Sequence, residues 1–308
     1  MGRYILRRLL QMIPVFIGTT LIIFLMVYAL PGDPVKALFG DKAADPATVA
    51  QLKHQFGLDK SLLEQYWTYL TNLVQGDLGM SFSQRDVTDI LTDAIPVTIR
   101  LALVAFAIEI VVGIGLGMLA GLKRGKLIDQ LVLVVTLVVI AIPVFVLGYV
   151  AQSVLGNELH LVDPTVNDSN DLSQLLLPGI VLASVSLAYV SRLTRTSIAE
   201  NIRADYIRTA IAKGMPKRRV VGIHLMRNSL IPVVTFLGTD LGALMGGAIV
   251  TEGIFNVQGI GNTLYRAVLQ ADGPLVVGLV TFLVVVYLVA SLLVDLLYAV
   301  LDPRIRYV

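Results

Sequence analysis

The feature that most constrains this chain is a series of apolar runs, each long enough to cross a lipid bilayer as a helix. A hydrocarbon core of about 30 Å requires about 20 apolar residues of helix. Four runs carry no charged residue, and two more are each interrupted by one acid, Glu109 or Asp240. The runs lie at residues 9–32, 101–122, 130–157, 172–191, 228–251 and 273–294. The sequence therefore predicts an all-α fold, a polytopic membrane protein with six transmembrane helices.

The composition agrees with this fold and excludes several kinds of chemistry. Among 308 residues only 15% are charged, and the mean hydropathy of +0.79 is too high for a soluble domain of this length. The chain has no cysteine, so disulfides and thiolate chemistry are excluded. Its three histidines, His54, His160 and His224, are scattered and match no metal-ligand spacing. We therefore expect no metal site and no cofactor on this chain.

The distribution of Lys and Arg predicts the orientation of these helices. Seventeen of the 24 basic residues fall on the same side as the N-terminus, nine of them between residues 192 and 227. The loop at residues 158–171, on the opposite side, has four acids and no base. Because basic residues are enriched in cytoplasmic loops, we expect both the N-terminus and the C-terminus to be cytoplasmic.

This orientation divides the chain into three parts. They are a first transmembrane span at 1–30, an extracytoplasmic helical segment at 31–95, and a five-span core at 96–308 with a cytoplasmic loop at 192–228. In the outer segment, Asp45 before Pro46 predicts a helix start, and Ser61 and Glu64 have capping-box spacing. The outer segment either contacts an external partner or only covers the ends of the spans, and both interpretations stay open.

The cytoplasmic loop contains the segment "DYIRTAIAKGMPKRR", which predicts two helices separated by a glycine. Asp205 can cap the first helix, Gly214 suits a left-handed turn at its end, and Pro216 can begin the second. The residues that share one apolar face of the first helix are Ala204, Ile207, Ala210 and Ile211. Such a unit would fit a groove of another protein. The competing interpretation is a solvated basic loop that reflects membrane orientation alone.

Several motifs of this sequence resemble those of one family of membrane proteins. The stretch "YIRTAIAKG" followed by "RNSLIP" resembles the EAA loop of bacterial ABC-importer permeases, in its oligopeptide and dipeptide form. The similarity covers essentially the whole chain and is closest to the B-type permease, which has a large first outer loop. The further motifs are "LPGDP", "FGLDKSLLEQYWTYLTNLVQGDLGMSF", "TEGIFNVQGIG" and "DPRIRY".

The resemblance implies that the EAA loop holds a coupling helix, which docks in a cleft of a cytoplasmic ATPase subunit. Matched to this sequence, the glutamate of the motif falls on Arg208, its first alanine on Thr209, its second on Ala210 and its glycine on Gly214. Because the glutamate is not kept, no role of that side chain is carried over. The candidate coupling residues are Asp205, Arg208, Thr209, Ala210, Ala212, Lys213 and Gly214.

No nucleotide site is evident in the sequence itself. "GLKRGKL", which starts at Gly121, has the wrong glycine spacing for a phosphate-binding loop and no hydroxyl residue after Lys126. We therefore expect this chain to be no enzyme, and we expect ATP to be bound and hydrolysed by partner subunits. The partners that the resemblance implies are a second homologous permease subunit, two cytoplasmic ATPase subunits, an extracytoplasmic peptide-binding protein and membrane lipid, with no nucleic acid.

The two acids inside predicted spans are candidates for a substrate path, because acids within a membrane are costly and often functional. Asp240 lies mid-span in "TDLGALMGG", and Glu109 interrupts the second run. A purely structural role is an equal alternative for Asp240 and is favoured for Glu109. The resemblance implies one half of the path of an ATP-driven importer of di- or oligopeptides. The alternatives are a secondary transporter coupled to protons through these acids and, with less support, an ion channel.

Overall fold

The computed structural model of the protein describes residues 2–29, 34–37 and 45–301. Within these ranges every regular element longer than an isolated bridge is helical, which confirms the all-α fold. Most of "LPGDP" and all of "DPRIRY" lie outside the described residues. The side of the membrane on which the termini lie stays a prediction, as do the three parts of the chain.

The described chain has fifteen α-helices, and three short π-helical segments continue some of them. The first seven are α1 (Gly2–Tyr28), α2 (Pro34–Ala37), α3 (Pro46–Gln55), α4 (Leu62–Val74), α5 (Val87–Ile108), α6 (Ile114–Leu122) and α7 (Leu127–Ala141). The others are α8 (Val144–Ala151), α9 (Leu176–Asn201), α10 (Asp205–Ala212), α11 (Lys217–Arg219), α12 (Met226–Ser229), α13 (Ile231–Phe255), α14 (Ile260–Leu269) and α15 (Gly273–Leu301). The π-helical segments are Glu109–Gly113, Gln152–Glu158 and Val220–Leu225.

The helices provide four to six membrane spans. Four helical stretches are long and apolar enough to cross a bilayer: Ile5–Tyr28, Val87–Leu122, Leu176–Asn201 and Gly273–Leu292. Two bent pairs add one span each if each pair is counted as a single crossing: Leu127–Ala141 with Val144–Glu158, and Lys217–Ser229 with Ile231–Leu244. The polytopic fold predicted from hydropathy is thus confirmed, with six as the upper count of candidate spans among the described residues.

The third predicted span is not one straight helix. Its two halves, α7 and α8, meet at an angle of 105°. Pro143 cannot donate a backbone hydrogen bond and disfavours helical geometry at the preceding residue. Ile142 accordingly has extended backbone angles, with φ −95° and ψ 128°. The uncharged run at 130–157 concealed this break, because hydropathy does not register a proline within an apolar segment.

The helix caps predicted in the outer segment are confirmed. The Asp45 carboxylate accepts a hydrogen bond from the backbone N–H of Thr48 at 3.3 Å and begins α3. Ser61 and Glu64 form a complete capping box at the start of α4. Two hydrogen bonds from Ser61 hold the pKa of Glu64 below its usual value. The larger effect comes from the Ser61 hydroxyl, and the smaller from its backbone N–H.

The chain divides into two compact units: residues 1–96 with 258–308, and residues 97–257. In the first unit, α15 packs against α1 and α14, and α4 packs on α1. Asp272, just before α15, accepts hydrogen bonds from the Ser81 hydroxyl, the Phe82 backbone N–H and the Leu275 backbone N–H. This buried carboxylate therefore joins the start of α15 to the loop that precedes α5.

In the second unit, α9 is the central helix. It packs against α6, α7, α8 and α13. Three glycines four residues apart lie against it: Gly113 at the end of the π-helical segment before α6, and Gly117 and Gly121 in α6. A Cβ atom on Gly117 would lie 2.5 Å from the backbone oxygen of Ser191, which is closer than real contacts allow. Small residues at this spacing let two helix backbones approach closely, as is common in membranes.

Candidate functional sites

The helix predicted in the cytoplasmic loop is present as α10, and it ends in the left-handed turn predicted at Gly214. α10 is followed by Gly214, whose φ is +70°. The N–H of Gly214 donates to the Ile211 carbonyl at 2.9 Å, and the N–H of Met215 donates to the Ala210 carbonyl at 3.3 Å. These two bonds form a Schellman motif, in which a left-handed residue satisfies the last carbonyls of a helix. The chain then resumes as a helix directly after Pro216.

One face of α10 packs on the chain's own core. Ile207 and Ala210 are almost fully buried, in a cluster with Ile198 of α9, Val220 and Leu225. Helical periodicity predicted that Ala210 and Ile211 share one face that is available to a partner. This prediction is wrong. Ala210 turns inward and is 3% exposed, whereas Ile211 turns outward and is 61% exposed. Any part that Ala210 has in coupling is therefore indirect, through the packing of α10 on α9.

The other face of α10 is exposed and carries most of the remaining candidate residues. Asp205 does not cap the helix: the N-cap is Ala204, and no side chain bonds to the free N–H groups there. Asp205 instead lies in the first turn, 3.5 Å from the Arg208 guanidinium. The exposed residues of α10 and the turn after it are Asp205, Tyr206, Arg208, Thr209, Ile211, Ala212, Lys213 and Gly214. This set, named the loop surface below, combines an apolar side chain with two cations.

Side-chain hydrogen bonds tie the loop to the end of α9. Asn201 donates to the Ser197 carbonyl at 2.9 Å and accepts from the Tyr206 hydroxyl, also at 2.9 Å. The buried Ser229 hydroxyl donates to the same Ser197 carbonyl at 3.4 Å. Both ends of the loop are thus fixed to one turn of α9. A force on the loop surface would pass to this central helix.

A buried ion pair fixes the next turn of α9, and sequence reasoning missed it. Arg195 donates from Nε and from one terminal nitrogen to the two carboxylate oxygens of Asp129, in the first turn of α7. The backbone N–H of Gly125 donates to the same carboxylate at 2.8 Å. Bidentate pairing of this kind fixes geometry as well as charge. The 66 residues between the partners left no sequence signal for the pair.

Glu109 and Asp240, which the sequence gave no reason to pair, interact within the second unit. The two carboxyl groups lie close enough to affect each other electrostatically, although they come from different helices. Glu109 is fully buried, and Asp240 is 9% exposed. Among the described residues, both oxygens of Glu109 and one oxygen of Asp240 have no hydrogen-bond partner other than the facing carboxyl group. Two buried carboxylates that face each other repel when both are charged, so a proton or a cationic group would be stabilised between them.

No role was predicted from the sequence for Glu252, another buried acid of the second unit. It lies in the "TEGIFNVQGIG" motif near the end of α13 and is fully buried. The hydroxyl of Thr98 donates to its carboxylate at 2.7 Å. The contact joins α13 to α5 across 154 residues of sequence, so it could not be found from spacing. Glu252 is therefore a satisfied acid, unlike Glu109.

No cluster of three or more His, Cys, Asp or Glu side chains that could hold a metal ion occurs in the described part of the chain. The features that remain are the spans, a loop surface tied to the central helix, and two facing acids. They define a polytopic membrane protein with an exposed helix face on one loop. The family comparison gives this class a name: the chain belongs to the binding-protein-dependent transport system inner membrane components. One family model matches residues 113–307, and a second, for the N-terminal part of such components, matches residues 1–102.

Individual relatives match the chain along its whole length. The di/tripeptide transport system permease protein DppB of Pseudomonas aeruginosa is 36% identical over 331 residues, covering 99% of this chain and 98% of the relative. The dipeptide transport system permease protein DppB of Escherichia coli K12 is 36% identical, covering 100% and 99%. The glutathione transport system permease protein GsiC of the same strain is 35% identical, covering both chains fully. The protein is therefore a multi-pass permease component of the inner membrane, and the secondary-transporter alternative is not favoured.

Proposed function

We propose that this chain is a permease subunit of an ATP-driven importer of small peptides, in which separate subunits hydrolyse ATP. The observation that carries this proposal is the loop surface, an exposed helix face held on the central helix α9. The names of the relatives, which transport dipeptides, tripeptides or glutathione, support a substrate that contains peptide bonds. A binding-protein-dependent system also implies a partner that delivers the substrate.

In the proposed assembly this chain forms half of the path and pairs with a homologous permease subunit. Two cytoplasmic ATPase subunits bind the loop surfaces, and an extracytoplasmic binding protein delivers the peptide. Closure of the ATPase pair moves α10, and the movement reaches α9 through Ile207, Ala210 and the Ser197 hydrogen bonds. Because α9 packs against α6, α7, α8 and α13, its displacement reorients those helices. Hydrolysis then restores the first state.

Purification of the tagged chain from membranes of its own host tests the assembly. We expect ATPase subunits to elute with it in mild detergent, because the loop surface would remain bound to them. Elution of the permease pair without any ATPase subunit, at a salt concentration that preserves other membrane complexes, would contradict the proposal.

The facing acids Glu109 and Asp240 are proposed to line the path. A peptide with a free amino terminus carries a cationic ammonium group, which two facing buried carboxyl groups would stabilise. The two acids come from different helices, and both helices pack against α9. A movement of α9 would therefore change the distance between the carboxylates, and with it their affinity for a cation.

Replacing Asp240 by asparagine should lower uptake while the assembly stays intact. Interactions of charged groups contribute about 1.5–3 kcal/mol, so we expect uptake to fall about tenfold or more. The measurement is peptide uptake together with the amount of ATPase subunit that elutes with the variant. Asp163→Asn, in an exposed loop, is the matched control and should leave uptake unchanged. Wild-type uptake by Asp240→Asn, or failure of that variant to assemble, would show that the acid is only structural.

A further inference from the structure

The outer segment contains one helix, α4, whose two faces differ sharply. Leu63, Trp67, Leu70 and Val74 are spaced by four, three and four residues and therefore form one stripe. Three of them are widely exposed: Leu63 by 80%, Trp67 by 69% and Val74 by 90%. Gln65, Thr68 and Asn72 lie on the opposite face and line a cavity of 380 Å³. Contiguous exposed apolar side chains of this kind mark a surface that contacts protein or lipid.

Two independent hydrogen bonds join α4 to membrane helices of its own unit, α1 and α15. They show how far from the end of each helix the side chains of α4 reach. The Tyr66 hydroxyl bonds to Thr20 of α1 at 3.0 Å, and Thr20 is eight residues from Tyr28, the end of that span. The Tyr69 hydroxyl donates to Thr281 of α15 at 2.6 Å. With a rise of 1.5 Å per residue, Thr20 lies about 12 Å along α1 from the end of its span.

The second bond gives the same depth. Thr281 is eight residues after Gly273, where its span begins, and thus also lies about 12 Å along its helix. A Cβ atom on Gly273 would lie 2.9 Å from Val27, so these ends of α1 and α15 are level with each other. Half of a hydrocarbon core measures about 15 Å. With the membrane boundary placed at these helix ends, the hydroxyl groups of Tyr66 and Tyr69 reach from α4 to the depth of the lipid chains.

Below α4 an apolar groove extends still deeper. It has a volume of 920 Å³ and is lined by α1, α4 and α15. Val285 and Leu288 of α15, at its far end, lie about 18 and 22 Å from the start of their span. Among the described residues of the lining none is charged, and the only polar side chains apart from the indole of Trp67 are Thr71 and Gln75.

We propose that α4 is embedded in one leaflet of the membrane and that lipid acyl chains cover its apolar stripe and fill the groove beneath it. The polar face then forms the floor of the 380 Å³ cavity and separates it from lipid. The groove lining favours lipid over a second transmembrane chain. Helix contacts in membranes favour small residues, as in the seam of Gly113, Gly117 and Gly121, whereas the described lining of this groove has large side chains and no Gly, Ala or Ser.

Fluorescence of Trp67 tests this directly, because it is the only tryptophan of the chain. The complete assembly is reconstituted into vesicles of brominated phospholipid, with the Trp67→Phe assembly as the blank that removes the emission of other subunits. We expect brominated lipid to quench most of the Trp67 emission and aqueous iodide to leave it unchanged. Quenching by iodide, with or without quenching by lipid, would place the stripe in water. Emission that neither reagent quenches would mean that protein covers the stripe, and either result overturns the proposal.

Cysteine labelling provides a second readout, since the chain has no cysteine of its own. In the structure of the protein alone, Val74 is 90% exposed, whereas Asn72 on the polar face is only partly exposed. In membranes we expect the reverse order: a water-soluble maleimide should label Asn72→Cys faster than Val74→Cys. In detergent, whose molecules replace lipid at the apolar stripe and exchange rapidly, the difference between the two labelling rates should decrease. Equal or faster labelling of Val74→Cys in membranes would contradict an embedded helix.

Discussion

Replacing Gly117 by leucine should abolish the folded protein. A side chain at this position would place its Cβ atom 2.5 Å from the Ser191 backbone oxygen and 2.6 Å from the Thr194 Cβ atom. Neither a backbone oxygen nor the Cβ atom of a buried helix can move aside cheaply, so α6 and α9 would have to separate. Overpacking of a core costs about 1–3 kcal/mol, and this contact should reach or exceed the upper value. The measurement is the amount of monodisperse protein recovered from membranes and its thermal unfolding.

A matched control lies two residues away on the same helix. A Cβ atom on Gly115 would have no other atom within 4 Å apart from its own helix, so Gly115→Leu should give wild-type amounts of protein. Gly117→Ala should fall between the two variants, because it adds the Cβ atom alone. If Gly117→Leu and Gly115→Leu behave alike, the close packing of α6 on α9 is not what holds the second unit together.

Replacing Ile211 by aspartate should detach the ATPase subunits without unfolding the permease. Ile211 is 61% exposed and belongs to the loop surface, so an acid there is harmless in the free chain. In a closed interface the same acid would be buried among apolar atoms. Loss of a central interface residue costs roughly 2 kcal/mol, which corresponds to about thirty-fold weaker association. The measurement is the ATPase subunit that elutes with the permease, and ATP hydrolysis should fall with it.

Leu161→Asp controls for the effect of an added acid. Leu161 is 69% exposed, and it lies in the acidic loop predicted to face the other side of the membrane. This variant should keep its ATPase subunits. If Ile211→Asp also keeps them, the loop surface is a solvated connector, and another part of the chain must contact the ATPase. Ala210→Trp would be a poor test, because Ala210 is buried within the chain's own core and the variant would disturb the fold of the loop.

Features that depend on a few neighbouring residues could be predicted from the sequence. The caps at Asp45 and Ser61 and the left-handed turn at Gly214 each involve residues within five positions of one another. Apolar runs likewise predicted the spans, because a bilayer imposes one length on every crossing helix. The main local error was at Asp205, where the acid occupies the first turn and Ala204 takes the cap position.

Contacts between distant residues could not be predicted. The pairing of Asp129 with Arg195, of Thr98 with Glu252, and of Glu109 with Asp240 depends on which helix faces touch, and a single sequence does not specify this. The same limitation explains the error at Ala210. Helical periodicity identified an apolar face on α10, but it could not show that the chain's own α9 covers that face.

We infer that this chain transports its substrate only when partner ATPases act on its loop. The most direct measurement is uptake of a labelled dipeptide into vesicles that contain the complete assembly, with binding protein outside and ATP inside. We expect uptake that requires ATP, that stops when the ATPase subunits cannot hydrolyse it, and that is unaffected by collapse of the proton gradient. Uptake by the permease subunits alone, driven by a proton gradient without ATP, would contradict the claim.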